Sequence, residues 1–135
     1  MLKVAGTAAA LTLLSVAAFA QTNMPAASLQ TALPADSVTV TNWYKQNVYD
    51  PNDAKIGEIM DVLVNKSGQI TSVIVGVGGF LGAGEKDVAV PMNAIHTTTK
   101  NEKPYLVMNS TKDALKNAPG FKYDKNTTTW SPDVK

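Results

Sequence analysis

The apolar positions of this chain change their spacing twice. Behind the short positive start Met1-Leu2-Lys3, the stretch Val4 to Phe19 is almost unbroken Ala, Leu and Val. From Gln21 to Ser37 no period holds, and Pro25 and Pro34 interrupt a run of Ala, Ser and Thr. That composition reads as a linker over 21–37. From Val38 onward the spacing becomes that of strands and tight turns. Val38-Thr39-Val40-Thr41 carries β-branched residues throughout and predicts a strand. Ile56–Val64 and Gln69–Val77 predict two more, joined by the hairpin turn Asn65-Lys66-Ser67-Gly68. Val73, Val75 and Val77 face one way and Ile74 the other, so both faces of this hairpin are apolar. A sheet with one wet face alternates more cleanly, so the pattern predicts a closed or half-closed barrel, or a sandwich, with something packed outside.

Asp87–Pro91 predicts a short strand whose proline belongs at an end or an edge. Ile95–Lys100 and Tyr105–Met108 predict a further hairpin, turning at Asn101-Glu102-Lys103-Pro104. Ser110-Thr111-Lys112-Asp113 has the form of a helix start, with a short helix through Lys116 and a stop at Pro119-Gly120. Residues 125–135 read as a polar tail, with Trp130 able to pin it back.

The first regime has a specific meaning. A positive start, an apolar run of this length and Ala18-Phe19-Ala20 predict a signal peptide over 1–20, cleaved before Gln21. The run is short for a spanning helix, which needs about 20 mainly apolar residues. The expectation is therefore a periplasmic or secreted bacterial protein with no stable membrane anchor after cleavage. Composition narrows the function. The chain has no Cys, which excludes disulfides, thiolate chemistry and a lipidated cysteine. All 12 basic residues are Lys, and beyond Ala20 they equal the 11 acids in number. Nucleic-acid binding favours a basic face and the arginine fork, and neither is present.

Three stretches stand in order: Lys55-Ile56-Gly57-Glu58-Ile59-Met60-Asp61, then Val75-Gly76-Val77-Gly78-Gly79-Phe80-Leu81-Gly82-Ala83-Gly84-Glu85-Lys86-Asp87-Val88-Ala89-Val90-Pro91, then Thr111-Lys112-Asp113-Ala114-Leu115 running to Phe121-Lys122-Tyr123. Together they resemble the PRC-barrel family, named for the cytoplasmic domain of the photosynthetic reaction centre H subunit. The resemblance covers about Asn42 to Asp124 within a domain over 38–124. It implies a mainly β fold: a small, strongly bent PRC-type β-barrel of five to six strands with one short C-terminal helix. It also implies a style of function, since the family's domains brace larger assemblies and are not catalysts. The position after Pro91, often aromatic in such sequences, is Met92 here, a flexible side chain that fills a core gap nearly as well.

Five of the nine glycines (Gly76, Gly78, Gly79, Gly82, Gly84) fall within one short stretch. Gly79 to Gly84 has the glycine spacing of a P-loop, but Glu85-Lys86-Asp87 follows in place of Lys then Ser or Thr, the dinucleotide pattern fails at Leu81, and a strand, not a helix, comes next. At the tip, Phe80 and Leu81 sit between glycines that cannot shield them, with Glu85, Lys86 and Asp87 as a polar rim. These five are the predicted partner contact. Glu58 and Asp61 lie three apart on a strand, which predicts opposite faces. Asp50, Asn52 and Asp53 lack the glycine and distal Glu of a calcium loop and read as a turn. His96 is the only histidine, so no zinc site and no nucleophile–base set can be drawn. The expectation is a non-catalytic protein-interaction or structural module of the cell envelope, without cofactor or metal, acting on an unidentified protein or on its own copies. The alternative is a small-ligand or ion-binding periplasmic protein.

Overall fold

The long central hairpin, buried on both faces over residues 73–77, organises everything else. The computed structural model describes Gly6, residues 24–78 and residues 84–134. The chain divides into two units, Met1–Pro34 and Ala35–Lys135. In the first, the described residues 24–34 form no helix or strand, and Met24, Leu29 and Leu33 are exposed.

The second unit carries eight strands: β1 (Asn47–Tyr49), β2 (Lys55–Val64), β3 (Ile70–Val77), β4 (Lys86–Pro91), β5 (Ile95–Lys100), β6 (Lys103–Met108), β7 (Phe121–Asp124) and β8 (Thr129–Pro132). One short helix, α1 (Lys112–Leu115), follows β6. Thr111 caps it as the pattern predicts, its hydroxyl oxygen accepting the Ala114 N–H at 3.2 Å. The strands form one sheet in the order β5-β6-β1-β2-β3-β4-β7-β8, antiparallel except where β1 runs parallel to β6.

The connection from β4 to β5 forces this sheet to curl. A single 3-10 turn, Met92–Ala94, links them. Yet the two strands stand five places apart in the sheet, about 24 Å if it were flat. Three residues rising about 2 Å each cannot span that distance. The core lies inside the curl: Val48, Ile56, Ile59, Val73, Val75, Val77, Val88 and Leu106 are 1% exposed or less, joined by Trp43, Val90, Ile95 and Met108. Met92 packs against this cluster, as expected of a gap filler. Each fully buried Ile or Val contributes about 1.5–3 kcal/mol over an exposed position.

Three expectations need correction. The described sheet has eight strands rather than five to six, and it is open: no ladder joins its end strands β5 and β8 among the described residues. The additional pair is the β7–β8 hairpin, half of it drawn from residues read as a polar tail. It docks on β4 by the single pair Asp87↔Phe121 and folds over the outer face of the sheet. There the Trp130 indole N–H donates to Asp61 Oδ2 on β2 at 2.8 Å. Asp61 stands opposite Ile74, which is fully buried but does not belong to the core cluster. The hairpin is thus the outside layer that the apolar second face of β3 requires. Finally, Val38–Thr41 is not a strand. Val40–Asn42 forms a 3-10 turn, with the Trp43 N–H on the Val40 carbonyl at 3.0 Å. Burying Trp43 outweighs the β preference of two valines left more than half exposed.

Candidate functional site

The residues predicted as a contact rim stand where β3 leaves the sheet and β4 returns. Phe80 and Leu81 lie outside the described residues. Their neighbours have separate roles. Lys86 points its ammonium to the carbonyls of Lys116 and, at 3.1 Å, Ala118, in the segment that follows α1. Two charge-assisted hydrogen bonds to backbone carbonyls tie the start of β4 to this segment, so Lys86 braces the fold. Glu85 is exposed and reaches back over Gly76, where any Cβ would strike its carboxylate and Met60. Asp87 pairs with Gly76 in the ladder, and one of its carboxylate oxygens is buried without a hydrogen bond. Burial, and then the charge of Glu85, raise the Asp87 pKa above the usual carboxylate value. A polar cleft of about 320 Å³ opens beside them, lined by Lys55, Glu58, Gly76, Glu85 and Lys112.

Glu58 and Asp61 share a face, contrary to the strand count. The register shifts between Ile59 and Asp61, so Glu58 meets Gly76 and Asp61 meets Ile74, both on the outer side. A β-bulge inserts one residue and reverses parity beyond it. The two still make no acid–base pair, because Asp61 gives one oxygen to Trp130 and the other to the Val62 N–H at 2.8 Å.

A second cleft, of about 420 Å³, lies between β1, β6 and the turns beside them. Tyr49 and Tyr105 stack there with ring centres 4.6 Å apart. The Tyr105 hydroxyl donates to Asp53 at 2.7 Å, and Lys100 meets Asp53 at 3.2 Å while lying over the Tyr105 ring. The hydrogen bond from Tyr105, followed by Lys100, lowers the Asp53 pKa, while burial and the Asp53 bond push Tyr105 up to about 12. Asp50 is a turn residue as expected, accepting the Asn52 and Ala54 N–H groups at 2.8 and 2.9 Å. Nothing in the hydrophobic spacing pointed to this cluster, because a parallel β1–β6 pairing between distant segments assembles it.

The third site is dry. Val38, Thr39, Val40, Trp43, Val62, Ile70 and Met92 line a slot of about 100 Å³ beside the Ile70 end of β3. Val38 and Val40 are 54% and 55% exposed, and Ile70 is 37% exposed. The residues misread as a strand therefore form its wall. His96 is exposed on β5, and no cluster of three or more metal-ligating side chains occurs among the described residues.

No curated protein matches the chain. The family model for the PRC-barrel domain matches residues 35–115, from just before the 3-10 turn to the end of α1. This match, over more than half of the chain, establishes that the chain belongs to the PRC-barrel domain family.

Proposed function

We propose that this protein is a non-catalytic interaction module of the bacterial cell envelope, exported behind its first twenty residues and working by contact with another protein. The observation that carries this reading is the apolar slot. Val38, Val40 and Ile70 are left in water around an opening that already reaches the core residue Trp43. Exposed apolar side chains that converge on a pocket mark contact sites, and an aliphatic anchor filling such a pocket is the usual centre of a protein interface. About 100 Å³ fits one aliphatic side chain and has little room for a metabolite. The occupant is thus a protein segment presenting a Leu, Ile or Met. The two polar clefts fit this role less well, since in the larger one Asp53 is already engaged by Lys100 and by the Tyr105 hydroxyl.

The test is site-directed photocrosslinking in the native host. Probes at Val38 and Ile70 are expected to trap the same protein, and a probe at Lys125 is not. Val40→Asp should remove both products without lowering the melting temperature by more than a few degrees, because Val40 is half exposed. Equal products from all three positions, or none from Val38 and Ile70, would overturn the reading.

A further inference from the structure

The β5–β6 ladder shows which backbone groups of β5 are in use. Asn101 and Glu102 both have positive φ, 52° and 62°, so the hairpin closes through a two-residue type I′ turn between Lys100 and Lys103. The residues flanking such a turn exchange both N–H···O bonds, and bonded and non-bonded pairs then alternate. Lys100, Thr98 and His96 therefore spend their backbone groups on β6. Thr97 and Thr99 turn theirs away from it. Pro104, opposite Thr99, agrees with this phase, because it has no N–H to give.

On its other side β5 has no neighbouring strand among the described residues, where it ends the sheet. Its side chains from His96 to Lys100 are exposed. The opposite end of the sheet is blunted: β8 has only four residues and finishes on Pro132. By contrast β5 has six residues, with no proline and no register shift, and its one lysine stands at the turn. Among the described residues, none of the usual protections of an edge strand covers Thr97–Thr99.

We propose that the outer edge of β5 is the docking site for β5 of a second copy of this chain, the two pairing antiparallel about a two-fold axis. The groups left open are backbone groups, so what completes them is a strand. β5 itself fits. With Thr97 opposite the partner's Thr97, or opposite the partner's Thr99, the outward N–H and C=O groups of each copy meet those of the other. Threonine pairs across antiparallel strands are favourable, and β5 carries no acid. With Thr97 on the axis, Lys100 faces the partner's Ala94, so the two lysines stand at opposite ends of the joint. The contact is small, so the association is weak and concentration-dependent. The inference rests on the contact-module reading but uses a surface other than the apolar slot, so either can fail alone.

The test is sedimentation equilibrium of the protein purified from its host over a hundredfold range of concentration. The mass is expected to rise toward twice the monomer value. Thr97→Pro and Thr99→Pro remove only outward N–H groups and should hold the protein monomeric with little change in melting temperature. Thr98→Pro removes an N–H bonded to β6 and should lower the melting temperature clearly. Val40→Asp should still dimerise. In the unmodified protein, the amides of Thr97 and Thr99 should gain protection from hydrogen exchange with concentration while that of Thr98 stays constant. A wild type that remains monomeric throughout, or Pro variants that associate as the wild type does with unchanged amide protection, would sink the proposal.

Discussion

Asp87 stands beside Gly76 on the outer face of the sheet, with Glu85 reaching over the glycine and one of its own oxygens buried without a bond. A buried acceptor left unpaired costs about 1–3 kcal/mol, more when charged. Burial and the Glu85 charge hold the Asp87 pKa above its ordinary value. The native state therefore keeps this proton at a pH where the unfolded chain has lost it. Stability from this group is present below the ordinary carboxylate value and is lost as pH rises through the raised folded value. Asp87→Asn removes the charge, keeps the shape and should stabilise the protein at neutral pH by roughly 1 kcal/mol. Denaturant melts at pH 7 and pH 3.5 should show that gain shrinking toward the acid end. A variant less stable than wild type at pH 7 would mean that the carboxylate has a stabilising partner. The Asp53–Tyr105 pair has opposite shifts: Asp53 holds its charge to lower pH, and Tyr105 keeps its proton up to about 12, so their bond persists across the neutral range.

The β7–β8 hairpin shows what a strand pattern can and cannot reveal. β2, β3, β4 and β5 were legible because their apolar residues repeat at the spacing of a pleated strand, and Gly68, with φ 85°, marks the turn between the first two. The second apolar face of β3 also announced that something covers it. What covers it was not legible, because β8 is four residues long and only Trp130 in it is large and apolar. The bulge that brings Glu58 and Asp61 to one face left no mark either, since inserting one residue changes parity without changing composition. Docking of this hairpin depends on the Trp130–Asp61 bond, the Tyr123–Trp130 edge contact at 5.7 Å and the cover given to Ile74. Trp130→Ala should destabilise the domain by about 2–4 kcal/mol, the lower part of the range for large aromatics because the ring is only half buried. Urea melts measure this, and hydrogen exchange at Ile74 and Ala89 should speed up in step. A loss below about 0.5 kcal/mol would make the hairpin an appendage that the core does without.

At the scale of the whole domain, β3 runs from one end of the curl to the other, and each end offers a different surface. Ile70 stands at the dry slot, while Val77 leads into the glycine-rich connection that returns at Lys86. The sequence pointed to the second end, because Phe80 and Leu81 stand out among glycines. It passed over the first, because a run of β-branched residues looks like a strand whether or not a partner strand exists. Near the connection, Lys86 is committed to the Lys116 and Ala118 carbonyls after α1 and Asp87 is partly buried, which leaves Glu85 as the exposed member of the expected rim. Two variants compared in one assay decide which end meets the partner. Phe80→Ser combined with Leu81→Ser tests the connection, and Val40→Asp tests the slot. Capture of the protein trapped at Val38 should fall at least tenfold with Val40→Asp, the loss of about 1.4 kcal/mol that one desolvated anchor supplies, and should change little with the serine pair. Both proteins should melt within a few degrees of wild type, which separates a lost contact from a lost fold. If the serine pair abolishes capture and Val40→Asp does not, the partner binds the glycine-loop end, and the slot is only the unsealed end of the core.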